Sequence, residues 1–420
     1  MRPSMDLLAQ AFADREQANL PAWLVDDQAH AWQRAFEHGL PWRRDEHWKY
    51  TSLFGLAKLP LRSPVARDAA LERSVEHRVF DATNSHLIEW RNGRLITPAP
   101  LPEGVTLSVN GERHPADTPI RYSVMQDLNQ AFADSAGVLS IADNTRLDKP
   151  IYLVHSLDGT HTLASPKLHI QVGAQCDLHV VDHLGGHSES GVTNRHLSLS
   201  LDANSHVQHA LLQQHDHSAS FINNTQVTVG RDAHYAALTI DLGAQLARHD
   251  LGIALNDHNA QCTMLAVYLP HGDQHVDHHT VVHHNTPHTH SQQRYHGVAG
   301  TKGHGVFNGK VLVQKDAQKI TAEQSNQNIL LSEKAAVDTK PELEIYADDV
   351  KCSHGATVGQ LDPTSLFYLQ SRGLSKHDAQ RLLVQGFVRD IYSNVHNDTL
   401  AAWLDAAILS KLDVMVEDTQ

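Results

Sequence analysis

Cysteine, long apolar runs and clustered basic residues are all scarce in this sequence of 420 residues. The three cysteines, Cys176, Cys262 and Cys352, lie far apart and form no C-x-x-C pair, so neither a disulfide framework nor a zinc knuckle is indicated. No run of about 18 apolar residues occurs, and acidic residues interrupt the first 20 positions, so no membrane span or signal peptide is predicted. We therefore expect a cytoplasmic protein with no membrane partner.

Several ligand and reaction classes are excluded by what is missing. The 48 acidic residues exceed the 34 lysines and arginines, giving a formal charge of −14, and no basic run exists, which argues against nucleic acid as a partner. The nearest approach to a phosphate-binding loop, residues 305–311, has the wrong spacing and no hydroxyl residue after its lysine. The motifs H-E-x-x-H and G-x-S-x-G are absent. No catalytic residue is predicted.

Histidine, by contrast, is abundant, with 33 residues. The densest cluster comprises His271, His275, His278, His279, His283, His284, His288, His290, His296 and His304. In one hypothesis, a cupin-like, metal-dependent β enzyme uses this cluster, with His288 and His290 as an H-x-H metal motif. However, no glutamate lies between Glu189 and Glu323, and the histidines fall on both faces of any strand. That pattern favours solvated histidines that make the surface charge sensitive to pH.

Hydrophobic spacing divides the chain into three regions. Residues 1–90 and 361–420 show helical spacing, whereas residues 91–360 consist of short alternating runs separated by turn residues, which is typical of β structure. Residues 42–50 are dense in charged and aromatic side chains, and form either an irregular segment packed on a core or a docking surface. The C-terminal helices likewise either pack on the β region or dock a partner.

A weak repeat runs through the β region. Ala174, Ala203, Ala233 and Ala260 each follow a turn and precede a new strand, at separations of 29, 30 and 27 residues. An apolar residue stands four positions after each alanine. Because each unit is β structure without helices, a solenoid of stacked β coils is predicted in preference to a sandwich or jelly roll.

Cys352 and His354 form the most specific chemical pair in the chain. At positions i and i+2 of a strand, the two side chains share one face. A thiolate and an imidazole placed together can hold a soft metal or an iron–sulfur fragment, or they can act as a nucleophile pair. Two ligands cannot close a tetrahedral site, so a metal role requires ligands from elsewhere or from a partner chain. The alternative is a buried thiol and a hydrogen-bonded histidine at a strand end.

Residues 339–359, which contain this pair, resemble the signature of the SufB/SufD family. Further motifs similar to that family occur at residues 46–51, 305–309, 326–331 and 366–373. Within the family the chain is more similar to SufD-like than to SufB-like sequences, because Gly355 stands where SufB-like chains carry glutamate directly after the signature histidine. The resemblance covers both ends and most of the chain.

The resemblance implies a mainly β fold, a right-handed parallel β-helix of residues 91–360 with flanking α-helical regions at 1–90 and 361–420. It implies a non-catalytic scaffold subunit of the Suf iron–sulfur cluster assembly complex, partnered by a SufB-like paralogue in a heterodimer and by the ABC-type ATPase SufC, which carries the ATPase activity. The isolated chain is expected to homodimerise. No cofactor is expected to bind tightly, only transient iron or an iron–sulfur cluster in the complex.

The resemblance also assigns residues. Cys352 and His354 are expected to hold iron or a nascent cluster at the SufB–SufD interface, with the remaining ligands supplied by SufB. The region 361–420 is expected to dock SufC. The partner-binding residues expected there are Leu366, Phe367, Tyr368, Leu382, Leu383 and Phe387.

Overall fold

The computed structural model describes residues 2–17, 20–64, 78–96, 100–111, 120 and 123–418. Within these residues the α-helices are α1 (Asp6–Asp14), α2 (Ala22–His38), α3 (Val124–Phe132), α4 (Pro363–Ser371), α5 (Lys376–Tyr392) and α6 (Asp398–Glu417). Short 3₁₀ turns lie at Glu46–Trp48 and Leu56–Lys58. None of the described helices is both long and apolar enough to cross a membrane.

The strands lie between the two helical regions. In chain order they are β1 (His86–Arg91), β2 (Arg94–Ile96), β3 (Val105–Val109), β4 (Ala136–Ile141), β5 (Ile151–Ser156), β6 (Gly159–Thr160), β7 (Leu163–Ala164), β8 (Lys167–Val172), β9 (Asp177–Gly186), β10 (Ser188–Glu189), β11 (Val192–Leu201), β12 (His206–His215), β13 (Ser220–Val229), β14 (His234–Asp241), β15 (Leu246–Leu255), β16 (Gln261–Tyr268), β17 (His275–His284), β18 (His290–Ala299), β19 (His304–Val313), β20 (Ile320–Leu330), β21 (Ala336–Ile345) and β22 (Val350–Gly359).

Successive long strands alternate between two sheets. Sheet 1 has the order β2-β1-β5-β9-β12-β14-β16-β18-β20-β22, and sheet 2 the order β21-β19-β17-β15-β13-β11-β8-β4-β3. From β5 and β4 onward every neighbouring pair in these orders is parallel, so one coil of chain contributes one strand to each sheet. The result is a β-solenoid of about eight turns with helices at both ends. The predicted parallel β-helical fold is therefore confirmed.

The repeat read from the sequence has the right period but slips once in phase. Ala174 lies beside Ala203 and Ala233 beside Ala260, as predicted, because β12 follows β9 by 29 residues and β16 follows β14 by 27. Between β12 and β14 the step is 28, so the neighbour of Ala233 is Ser205. A slip of two residues keeps every side chain on the same face of its strand. The prediction of which side chains face the interior of the solenoid is therefore unaffected by the slip.

Apolar layers hold the solenoid together on three levels. The largest fills the space between the sheets, where Leu178, Val207 and Tyr235 stack in register with Cys262. A second layer forms where α5 and α6 cover the outer face of sheet 1. A third forms where α1, α2 and α3 cover the outer face of sheet 2. Both faces of the central strands are consequently buried.

This double covering overturns the prediction that the histidines are surface composition. Within residues 271–304, five of the histidines are less than 9% exposed: His271, His278, His279, His284 and His296. Buried polar partners accompany three of them: Asp241 lies beside His278, Asp277 lies beside His279, and the ring nitrogens of His284 lie 2.7 and 2.9 Å from the hydroxyl oxygens of Thr289 and Ser291. The prediction was wrong because it took histidines on both faces of a strand to be solvated, whereas in this fold both faces of the central strands are covered.

Residues 42–50 are anchored to the core through Trp48, as the first of the two interpretations of that segment predicts, while most of the other residues of the segment are exposed. Trp48 is buried against the outer face of sheet 2, with the guanidinium of Arg248 3.8 Å from its ring centroid. Thr51 continues the contact by donating to Asp277 and lying 2.8 Å from His275 Nε2. The aromatic ring of Trp48 and the hydroxyl of Thr51 thus contact the buried charged side chains of Arg248 and Asp277 on sheet 2.

Candidate functional site

The last coil of the solenoid leaves both sheets open. Strands β21 and β22, each ten residues long, are the terminal strands of sheet 2 and sheet 1. In the part of the chain that the structure describes, no strand pairs with their outer edges. Exposed Ile345, Tyr346 and Val358 lie along this end. A long edge with free backbone groups and apolar side chains is a template for pairing with another chain.

Cys352 and His354 lie on β22, at this open end. Cys352 is the register partner of Ala322 and packs partly buried against the apolar layer between the sheets. Burial raises the pKa of the Cys352 thiol above its usual value, so the thiol is protonated at neutral pH. A metal or a partner's positive charge is therefore needed to make it a ligand thiolate.

His354 continues a column of polar side chains that runs along the interior of sheet 1. Its register partner on β20 is Gln324, whose own partner on β18 is Gln293. Both glutamines are buried, whereas His354 is exposed. The side-chain amide of Gln324 has no hydrogen-bond partner among the described residues. The mouth of the solenoid therefore presents an exposed imidazole above an unsatisfied buried amide.

Sequence reasoning missed Gln324, although a signal for it exists. The residue stands 30 positions before His354, close to the coil period, but only the register of β20 with β22 joins the two. Gly309 lies beside both this amide and the ring of Phe307, since a Cβ there would lie 3.0 Å from Gln324 Nε2 and 2.5 Å from Phe307 Cζ. Gly355, on the other parity of β22, faces open space in which an added Cβ meets nothing within 4 Å.

The expected partner-binding residues fall into two groups. Phe367 and Tyr368 on α4 are 71% and 56% exposed, and Leu382 on α5 is also exposed. Helix α4 buries none of its residues, although Asp362 caps its first turn well by accepting from the Thr364 and Ser365 amides, both at 3.1 Å. This helix therefore packs only partially, against α5, and leaves its two aromatic side chains exposed.

The second group attaches the helices to the solenoid. Phe387 stacks on His296 of β18, with ring centroids 4.3 Å apart, and its carbonyl accepts from His296 Nδ1 at 2.8 Å. Leu366 and Leu383 are half-buried. The region from α5 onward therefore packs on sheet 1, while α4 and Leu382 stay exposed.

The cupin-like alternative finds no support in the structure. His288 lies in a turn with a φ of 61°, and His290 begins the following strand, so the H-x-H pair does not share a strand face. Cupins are double-sheet jelly rolls of mainly antiparallel strands, whereas the long strands here pair in parallel.

Comparison with known proteins identifies a matching family and several similar proteins. The model of the "SUF system FeS cluster assembly, SufBD core domain" matches residues 155–387. The chain is 29% identical over 385 residues to the iron–sulfur cluster assembly protein SufD of Escherichia coli K12, covering 90% of this chain and 91% of that one. It is 31% identical to an iron–sulfur cluster assembly SufBD family protein of Synechocystis, covering 85% and 84%.

A chloroplast protein of Arabidopsis thaliana, ABCI7, is 26% identical over 85% of this chain and 80% of its own length. The matched region begins at His155 on β5 and ends at Phe387 on α5, so it includes most of the solenoid and the open end with Cys352 and His354. The chain therefore belongs to the SufBD family of iron–sulfur cluster assembly proteins.

Proposed function

We propose that this chain is a scaffold subunit that pairs through its open solenoid end with a SufB-like paralogue, so that Cys352 and His354 help to hold iron or a nascent cluster at the interface. The cluster is cargo, and the remaining ligands come from the paralogue. The single observation that carries the proposal is the coincidence of an unpaired, partly apolar strand edge with the cysteine–histidine pair on the same strand. The family's role in iron–sulfur assembly supports it.

The chemistry of the pair fits transient rather than permanent binding. The isolated chain offers one protonated thiol and one imidazole, which is too few ligands to retain iron against solvent. Covering the edge with a second chain lowers the local dielectric and adds ligands, which strengthens both metal bonds. A cluster formed there leaves when the interface opens.

We further propose that the region 361–420 docks a SufC-like ATPase through exposed α4 and Leu382, which would supply the energy for that opening. Phe367 and Tyr368 offer two adjacent, exposed aromatic side chains on a helix that has no fully buried residue. Aromatic residues of this kind are common anchors at protein interfaces.

The test of the site is cluster reconstitution in the complex with the paralogue and the ATPase. His354→Ala should leave the complex assembled but lower the yield of cluster several-fold, because one ligand is lost at an intact interface. The matched control is His258→Ala, which removes an exposed histidine in the turn between β15 and β16. Unchanged cluster yield in His354→Ala would leave only a structural role for this subunit.

A further inference from the structure

One buried carboxylate and two imidazoles meet inside the solenoid, two to four coils before its open end. Asp241 ends β14 of sheet 1, and His249 and His278 are register partners on β15 and β17 of sheet 2. Asp241 Oδ1 lies 2.8 Å from His249 Nε2, and Oδ2 lies 3.0 Å from His278 Nε2. The three potential ligand atoms all lie within 4.8 Å of one another, and all three side chains are buried.

The charge at Asp241 is compensated differently from that at the other buried carboxylates. Asp182 is paired with the buried guanidinium of Arg195. Asp277 is paired with Arg248, whose Nη1 lies 2.5 Å from its carboxylate. Among the described residues, no arginine or lysine forms an ion pair with Asp241. The basic groups that contact its carboxylate there are the imidazoles of His249 and His278. A buried carboxylate requires a positive partner, so this one is incompletely balanced.

The contact between Asp241 and His278 also lacks the direction of a hydrogen bond. His278 Nε2 and Asp241 Oδ2 are close, yet neither atom has a hydrogen-bond partner of acceptable geometry among the described residues. The rings of His249 and His278 are nearly parallel, 11° apart with centroids separated by 4.7 Å. Each ring places its Nε2 near an oxygen of the same carboxylate, so the ligand atoms of Asp241, His249 and His278 are grouped within reach of one ion.

Room for a further ligand exists beside the histidines. A cavity of about 20 Å³ is lined by His249 and His278 together with the hydroxyls of Thr225, Thr239 and Thr280. A space of this size admits about one water molecule, and the threonine hydroxyls supply polar partners for it. This polar space therefore adjoins two of the three potential ligands, His249 and His278.

We propose that Asp241, His249 and His278 bind a divalent first-row transition metal ion inside the solenoid, through the carboxylate and the two Nε2 atoms. Two imidazoles and one carboxylate with an open position are a donor set that suits iron(II) and, more broadly, cobalt(II) and zinc(II). The ion supplies the positive charge that an arginine supplies at Asp182 and Asp277. The site is separate from Cys352 and His354 and does not depend on the function proposed for them.

The test is the metal content of the full-length, tag-free chain. The protein is produced in cobalt-supplemented medium, so that the ion is present while the chain folds, and is then treated with a chelator to strip surface sites. The wild-type chain should retain about one cobalt ion, because the site is buried. The retained ion should give the visible absorption of cobalt bound to nitrogen and oxygen. His278→Gln and Asp241→Asn should each lower retention at least tenfold.

Two control variants make the result specific. Asp182→Asn changes an equally buried carboxylate that has its own arginine. The double variant His258→Gln, His288→Gln removes a surface pair of one exposed and one half-buried histidine, whose rings lie 4.6 Å apart. Both controls should retain the ion. A wild-type chain without chelator-resistant cobalt would overturn the proposal, even if His278→Gln fails to fold. Equal retention in a folded His278→Gln variant, or loss in the surface double variant alone, would overturn it as well.

Discussion

The two ends of the solenoid are finished in different ways. At the N-terminal end the outermost strands, β2 and β3, are three and five residues long and pair antiparallel with β1 and β4. At the C-terminal end β21 and β22 are each ten residues long, pair in parallel and leave their outer edges free within the described chain. Short strands of reversed direction blunt a sheet edge, whereas long regular ones invite pairing.

A long, regular and unpaired strand edge is therefore a feature of the C-terminal end of the solenoid and not of both ends. The same chain ends one side of the solenoid, called the closed end below, with short antiparallel strands, and it leaves long parallel strands at the other side, which carries the cysteine–histidine pair. Val109 on β3 and Val358 on β22 show how closely the two ends can be compared, because each is 43% exposed on a terminal strand. The predictions below use that match.

The largest expected effect is on pairing at the open end. Replacing Ile345 and Val358 together by aspartate should weaken binding to the SufB-like paralogue at least a thousandfold, since each carboxylate would be buried without a partner. Binding measured by calorimetry or surface plasmon resonance checks this. The matched control is Val109→Asp at the closed end, which should bind normally; equal loss in both variants would remove the distinction between the ends.

The second prediction concerns the stability of the isolated chain. Ile88→Ala, at a fully buried position of β1 near the closed end, should lower the free energy of unfolding by about 2–5 kcal/mol because it leaves a cavity in the apolar layer. Val358→Ala at the open end should change it by less than about 0.5 kcal/mol. Urea unfolding of the two variants measures the contrast, which a large effect of Val358→Ala would contradict.

A third, smaller effect is expected next to the open end, on α4. Phe367→Ser should weaken binding of a SufC-like ATPase by about tenfold to a hundredfold, as for an aromatic anchor at an interface. Phe36→Ser is the control, because Phe36 on α2 is 54% exposed in the N-terminal helical region. Co-purification and titration of the ATPase distinguish them. If both variants bind normally, another surface of the chain docks the ATPase.

The smallest expected effect of a single residue is on the pH dependence of the free energy of unfolding, through the buried histidines between the two ends. Burial lowers the pKa of His183 to about 4 and that of His284 to about 3. Because an unfolded histidine titrates near 6.5, the unfolded chain binds more protons below that pH, and stability is lost as pH falls. Each histidine should remove about 1.4 kcal/mol per pH unit between pH 6.5 and its folded pKa.

Unfolding by urea at pH 7.5 and at pH 5.5 measures this dependence. The variant His284→Gln should have a shallower dependence than the wild-type chain, whereas His258→Gln, at an exposed turn position, should keep the wild-type slope. An unchanged slope in His284→Gln would show that this residue does not take up a proton on unfolding.

Much of the fold was predictable because its signals are local and periodic. Strand alternation and a repeat of nearly 30 residues are visible in the chain itself, and they predicted coils before any contact was known. The phase slip at Ser205 shows the limit of that signal. Coil length varies by one or two residues at the turns, and only backbone pairing counts those residues.

The candidate site was half predictable for a related reason. Cys352 and His354 are two positions apart, so their shared face follows from strand geometry alone. Gln324, which lies beneath His354, and the meeting of Asp241 with His249 and His278 depend on register across the solenoid. No local pattern joins residues on opposite sheets, and the histidines that form these contacts looked like surface composition.

The family, the coil period and the position of the cysteine–histidine pair all follow from residues that are close together in the chain. Which of the 33 histidines are buried, and which end of the solenoid is open, depends instead on how distant segments pack. Burial depends on what covers the outer faces of the sheets, and those covers are helices that come from the two ends of the chain. A strand's own residues cannot specify a neighbour that folds onto it from hundreds of residues away.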